Sequence, residues 1–470
     1  MSRHPLAFAL ALVLLPAAAH ADDLLQSYNN ARNSDPQFAA AESRQLVTRE
    51  GAVQARAALL PQIDGSVTLR RSKSEGPGIF QGNDPTVPPV FGNNSSTTTS
   101  RNIGVNGNQV LVDFSRFSTL KSQKALANAS QFQLESDGLS LITRTSAAYF
   151  NVLVQLETLA AAEASGTALK KQFDFASKRL EVGLAPITDM YEARAQYEGA
   201  RANTILARNA VQDAYQALVE ITGAPVANLK GLPDNFQPAL PEARDVDGWV
   251  KTAIAQNPAL QAKQEQVRSS DISVDTARAG HLPTLYLSGG YSKDANWGDS
   301  SFSGGANTYN RQTGSESRGP SLGVTLSVPL FSGGATQSRV RQALASRDIA
   351  RDELEQQRRS LERSTRNAYQ TLVAGISEVE ARRLALVSAQ SAYEASQVGL
   401  EVGTRTVLDV LNNQRTLFSA QQVYSQAKYN FLQNRLLLEQ AAGTLEVSDV
   451  EDVNRLLTTD ESIAKAIGTP

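Results

Sequence analysis

Between Ser321 and Leu330 every second residue is apolar: Leu322, Val324, Leu326, Val328 and Leu330 alternate with Ser321, Gly323, Thr325, Ser327 and Pro329. A period of two predicts a β-strand with one apolar and one small polar face. Leu285, Leu287 and Tyr291 repeat the pattern against Thr284, Ser288, Gly290 and Ser292. In the first half Ile63, Val67 and Leu69 alternate with Asp64, Ser66, Thr68 and Arg70, and Ile103, Val105 and Leu111 mark a returning strand. Strands of about ten residues suit a transmembrane barrel, with lipid on one face and water on the other. A soluble sandwich strand shows the same alternation. The intervening segments 77–100 and 296–318 favour the barrel. They read as long polar loops rich in Gly, Asn, Ser, Thr and Pro, with Phe80, Phe91, Trp297 and Tyr309 among them, as outer-membrane barrels carry.

The other pattern is helical and unusually long. Ser115 to Leu180 contains no proline, and at ~1.5 Å per residue such a helix would span about 100 Å. Gln337 to Leu400 reads as a similar rod. Helices of that length imply coiled-coil packing, because a long isolated helix has no core of its own. One seam is legible: Leu354, Leu361 and Ala368 are spaced by seven, and so are Val379, Leu386, Tyr393 and Leu400. The eleven-residue step from Ala368 to Val379 reads as a stutter, which locally unwinds a left-handed supercoil.

These elements come twice, with a period near 220 residues. Asn33-Ser34-Asp35-Pro36 recurs as Ala255-Gln256-Asn257-Pro258, Leu60-Pro61 as Leu282-Pro283, and Phe114-Ser115 as Phe331-Ser332. Ala148-Tyr149 recurs as Ala368-Tyr369, and Glu181-Val182-Gly183 as Glu401-Val402-Gly403. The chain therefore divides into a leader (1–21), a first repeat (22–245), a second repeat (246–445) and a C-terminal tail (446–470), the tail polar beyond Leu457. Each repeat reads helix, strand, loop, strand, very long helix, break, helix. Four strands cannot close a barrel, and open sheet edges do not survive in lipid. Copies must pool strands: two give eight, which fill their own interior, and three give twelve, which leave a pore. The expected fold is an α+β membrane protein: a trimeric twelve-stranded barrel, four strands per protomer, continued by an α-helical coiled-coil barrel.

Composition narrows the function. Arg3 and His4, the apolar run Leu6–Leu15 and Ala19-His20-Ala21 form a secretory leader with cleavage near Asp22. The run is shorter than the ~20 residues of a spanning helix. There is no cysteine, so no disulfide supports the fold. The 45 Lys and Arg against 47 Asp and Glu leave a net charge of −2, and losing Arg3 with the leader makes it more negative. Nucleic-acid binders usually show a basic face instead. After the leader only His281 remains of the three histidines. Zinc sites of the HExxH kind, thiolate sites and phosphate-binding loops are excluded, and any Ser-His-Asp triad would have to use His281. We expect no enzyme, no metal and no cofactor.

Several strings carry a specific resemblance. Arg179-Leu180-Glu181-Val182-Gly183-Leu184-Ala185-Pro186-Ile187-Thr188-Asp189 is one. Val402-Gly403-Thr404-Arg405-Thr406-Val407-Leu408-Asp409-Val410-Leu411, His281-Leu282-Pro283-Thr284 and Ala148-Tyr149-Phe150-Asn151-Val152-Leu153 are others. From about Leu24 to Leu445 the chain resembles the TolC family, with all landmarks in order. That resemblance implies a homotrimeric exit duct in the Gram-negative outer membrane, reaching into the periplasm, for multidrug efflux or type I protein secretion. Its partners would be a periplasmic adaptor protein and an inner-membrane RND or ABC transporter that supplies the energy. It also implies a gate at the periplasmic tip, where Arg405 ties neighbouring helices to Thr188 and Asp189. Asp409 would project into the lumen as a ring of three, and Gly183, Leu184, Gly403 and Thr404 would dock the adaptor.

Two positions depart from the family pattern: Leu400 stands where a Tyr adds a lock hydrogen bond, and Asn412 where a second Asp ring stands. Asp189 and Asp409 occupy equivalent repeat positions, so both also suit a plain helix start, where a carboxylate meets the positive end of the dipole. The alternative is a surface coiled-coil structural or adhesive protein, which accounts for the rods but leaves the duplication unexplained.

Overall fold

A computed structural model of the chain describes residues 23–458 except 82–85, 87, 227–228, 234, 241–244 and 306. The leader lies outside the described residues, as does the tail from 459. One Pro-initiated break splits the opening of each half into two helices, where the sequence pattern predicts one. Helices α1 (Leu24–Ser34) and α2 (Pro36–Ala57) meet at Asp35, whose carboxylate accepts from Phe38 N (3.0 Å) and from Arg144 Nη2 (2.5 Å). Helices α5 (Val246–Gln256) and α6 (Pro258–Ala279) meet at Asn257, whose side chain accepts from Leu260 N (3.1 Å). Proline fits the first helical position because its missing N–H has no intrahelical partner there. The remaining helices are α3 (Phe114–Glu181), α4 (Ile187–Thr222), α7 (Ala335–Glu401), α8 (Val407–Ala442) and α9 (Val447–Leu456). Lengths match across the halves: 11 and 22 residues twice, 68 against 67, and 36 twice.

The chain forms two compact units, each drawing on both halves. One comprises Arg44–Gln131 and Ala262–Glu355, the other Met1–Ser43, Phe132–Gln261 and Gln356–Pro470 so far as they are described. The first holds an antiparallel sheet in sequence order, β1 (Gln62–Phe80), β2 (Val90–Val112), β3 (Thr284–Gly304) and β4 (Asn307–Ser327). In its register Ile63 faces Gly107, Gly65 faces Val105, Val105 faces Tyr291 and Gly289 faces Leu322. The expected alternation therefore lines up across strands into one apolar band. Most of its members are exposed in the single chain, Leu322 at 81 % and Val67 at 73 %, while Leu285 and Leu287 are half-buried. β1 and β4 are each paired on one side only, the open edges that lipid does not tolerate.

The strands correct one expectation. They run 19 to 23 residues, and most of segments 77–100 and 296–318 is ladder, not loop. Thr97, Thr98 and Thr99 pair with Lys73, Ser72 and Arg71 on one side and with Asp299, Gly298 and Trp297 on the other. Hydrophobic alternation reports only where one face is apolar. The backbone ladder continues through Ser, Thr and Asn, whose side chains suit water on both faces. Phe80 stacks on Tyr309 (4.6 Å) at the far ends of the strands, where loop aromatics were expected.

The seam of α7 corrects another. Thr365 and Leu372, both fully buried, continue the seven-residue row of Val379, and the half-buried Leu386, Tyr393 and Leu400 extend it. Leu361 and Ala368 belong to the companion row of the same stripe. The eleven-residue step is therefore no stutter, and a threonine hid the continuity.

The helical unit has one large core, from Leu24 and Tyr28 through Tyr149, Leu153, Leu218 and Leu372 to Leu432, Leu436, Val450 and Val453. Two buried phenols hold the segment after α4 to it. Tyr149 Oη accepts from Lys230 N and donates to Lys230 O, both at 3.0 Å. Tyr429 Oη accepts from Leu232 N (3.3 Å) and donates to Glu157 Oε1 (2.8 Å). Glu157 also takes the Ser425 hydroxyl, with the buried Lys428 Nζ 3.8 Å away. Burial, then the Glu157 charge, pushes the Tyr429 phenol well up. Gly231 and Thr458 exchange backbone hydrogen bonds (3.0 and 2.7 Å), so the residues just after α9 return to the same segment.

Candidate functional site at the two helical turns

The residues singled out by sequence lie at the α3–α4 and α7–α8 connections. Both are Schellman turns. In the first, Leu184 N donates to Arg179 O (2.8 Å) and Gly183 N to Leu180 O (3.0 Å). In the second, Thr404 N donates to Gly399 O (2.8 Å) and Gly403 N to Leu400 O (3.2 Å). Gly183 and Gly403 have φ of +72° and +77°, a left-handed conformation that a side chain disfavours. A Cβ at either would meet nothing within 4 Å. Within the chain these glycines answer to backbone conformation, not to a close helix approach. Beside them Val182, Leu184 and Val402 are about two-thirds exposed (66, 68 and 68 %).

A small cluster joins the helices at this end: Leu169 of α3, Ala200 of α4, and Val407 and Leu411 of α8, with Tyr197 and Leu400 against it. Phe173 stacks in parallel on Tyr197 at 6.1 Å. Leu400, where the family pattern has a hydrogen-bonding Tyr, is here a packing side chain.

Thr188 and Asp189 occupy the first turn of α4 and Arg405 the second connection. Among the described residues, no hydrogen bond or ion pair joins Arg405 to Thr188 or Asp189 within the chain. The side chains of all three make no hydrogen bond to any described residue.

Asp409 behaves differently from Asp189. It closes a capping box on α8: its carboxylate accepts from Thr406 N and from the Thr406 hydroxyl, both at 2.9 Å, and Thr406 Oγ accepts from Asp409 N (3.2 Å). Those bonds, the backbone one first, together with the charge of Arg405, hold the carboxyl below the usual range. The residue in Thr406's place before Asp189 is Pro186, with no N–H and no hydroxyl to offer. Equivalent acids thus part company: one is tied to its helix and the other is left unbound. Asn412, one turn beyond Asp409, is exposed. The capping box was legible as Thr406-Val407-Leu408-Asp409, whereas the Glu157–Lys428–Tyr429 group carries no periodic signal.

Comparison with known proteins bears on the whole chain. The sequence profile of the outer membrane efflux protein family matches residues 27–224 and again 249–444. Outer membrane protein TolC of Vibrio cholerae is 33 % identical over 450 residues, covering 96 % of this chain and 97 % of that one. The alkaline protease secretion protein AprF of Pseudomonas aeruginosa is 30 % identical, covering 97 % of this chain and 92 % of its own. Among solved structures, the CmeC outer membrane channel of Campylobacter jejuni superposes with a TM-score of 0.70 at 19 % identity, covering 92 % and 89 % of the two chains.

Proposed function

The chain belongs to the outer membrane efflux protein family, and from that premise we propose that three copies form an exit duct closed at the two helical turns by Arg405 of one copy meeting Thr188 and Asp189 of the next. The protein is an outer-membrane channel for efflux or secretion and not an enzyme. The surface-fibre alternative has no support among its relatives.

Assembly follows from the sheet. Its apolar band is largely exposed and both edges are open. Three copies bring twelve strands and leave a pore, whereas two would fill it. Detergent-solubilised protein should be trimeric by light scattering and should conduct in planar bilayers. The duplicated halves then give each copy two similar helical hairpins with two different turns.

The observation that carries the lock is the unbound pair of opposite charges. The Arg405 guanidinium and the Asp189 carboxylate project from corresponding turns, and neither finds a hydrogen-bonding partner among the described residues of its own chain. A threefold ring would also place three Asp409 carboxylates near one another; that crowding works against the local bonds that now lower their pKa. The ring carries three charges and not six, because Asn412 replaces a second acid. The exposed Leu184 and Thr404, with the turns set by Gly183 and Gly403, are the surface offered to a periplasmic adaptor. That adaptor links the duct to an inner-membrane RND or ABC transporter, which supplies the energy.

The test is single-channel conductance. Arg405→Ser and Asp189→Asn should each open the closed duct, raising bilayer conductance and antibiotic leakage into cells without an adaptor. High salt should mimic them weakly, since exposed pairs are screened. Wild-type conductance in both variants would refute the lock.

A further inference from the structure

The two turns differ by an exchange of side chains. At 220 residues' offset Arg179 corresponds to Gly399, and Ala185 to Arg405. In the first turn the arginine sits on the helix: Arg179 lies over the Phe175 ring at 5.6 Å and donates to Leu184 O (3.2 Å), folded back on its own loop. In the second turn the helix position is bare and the arginine stands in the loop. Gly399 is buried in the last turn of α7. Its carbonyl accepts from Thr404 N (2.8 Å), Arg405 N (3.0 Å) and the Thr404 hydroxyl (3.2 Å).

Gly399 has no conformational reason to be glycine. Its backbone is helical and is not among the positive-φ glycines, and alanine is the better helix former. The reason is space. A Cβ at 399 would stand 2.6 Å from Arg405 Cγ and 3.2 Å from Arg405 Cβ. Both belong to the root of that side chain, not its flexible end, so the stem itself would have to move.

We propose that Gly399 is the positioning residue for Arg405: its missing side chain is the slot in which the arginine stem lies, and that slot sets the direction of the guanidinium. The consequence for gating rests on the lock reading above; the slot itself does not.

Two measurements separate these levels. The chain has no cysteine, so Arg405→Cys gives a unique thiol whose Sγ takes the place of Cγ in the slot. In full-length trimers its alkylation by a charged reagent should be severalfold faster when Gly399→Ala is added, because the new methyl expels it. An unchanged rate overturns the proposal, whatever the duct does. In bilayers Gly399→Ala alone should raise conductance as Arg405→Ser does, and the double variant should conduct no more than Arg405→Ser. A wild-type Gly399→Ala beside an open Arg405→Ser would overturn the slot's role in gating. An additive double variant would show that Gly399 acts apart from Arg405, and would overturn it too. Wild-type conductance in Arg405→Ser itself would refute the lock instead, leaving the alkylation rate to decide the slot.

Discussion

Glu439 near the end of α8 couples the docking of α9 to pH. Its side chain is buried at 5 % exposure. Arg435 Nε donates to Oε1 (3.2 Å), and Oε2 is buried without a hydrogen-bond partner among the described residues. Burial first, and then the charge of Asp449 on α9, push the carboxyl up to about 7, against the pull of Arg435. The ordinary glutamate value, taken for the unfolded chain, is 4.5. Between these two values the native state holds a proton that the unfolded state has released, so falling pH stabilises the docked state, down to about 4.5. Above 7 both states are ionised and the native charge costs the full amount. A shift from 4.5 to about 7, at ~1.36 kcal/mol per unit, sets that cost at about 3 kcal/mol. Glu439→Gln keeps an oxygen for Arg435 and cannot ionise. At pH 8 it should slow amide exchange of Val447–Leu456 by up to ~100-fold relative to wild type, and at pH 5 the two proteins should differ little. Comparing the proteins at each pH removes the intrinsic pH dependence of exchange. Equal protection at pH 8, or a gap that widens on acidification, would refute the reasoning.

Other outcomes follow from single contacts. Tyr429→Phe removes the donor to Glu157 and the acceptor of Leu232 N, both in buried surroundings, and should cost about 1–3 kcal/mol, visible as a lower melting temperature and faster proteolysis near Leu232. Gly403→Ala forces a side chain into the left-handed region at a cost of about 1–2 kcal/mol, while Gly403→Asn should cost less; thermal melts of the trimer compare them. Leu184→Asp leaves that backbone untouched and should weaken adaptor crosslinking without loss of trimers, so normal crosslinking would place the docking surface elsewhere. Asp409→Asn keeps an acceptor for Thr406 but removes the charge. It should shift the reversal potential toward non-selectivity, and Asn412→Asp should increase block by multivalent cations; an unchanged reversal potential in the first would count against a lumenal ring.

Much of the architecture follows from periodicities that need no tertiary information. Alternation at Leu322–Leu330 and the proline-free rods each reflect a local rule: a two-residue pleat and an uninterrupted helix. Val182-Gly183 and Val402-Gly403 recur at the repeat spacing, but their left-handed turns appeared only in the folded chain. The resemblance located the residues of the turns but not their bonds. Only the folded chain decided how far the strands run, since a backbone ladder through Ser and Thr leaves no hydrophobic trace. It placed Thr365 in the seam, where burial depends on the neighbouring helix and not on the residue's own polarity. It separated Asp189 from Asp409, acids at one repeat position, because Pro186 lacks the groups that Thr406 offers. The raised carboxyl of Glu439 and the slot at Gly399 depend on α9 and on the path of the α7–α8 loop. Charge and space at a point are set by everything that folds around it, and no spacing along the chain encodes them.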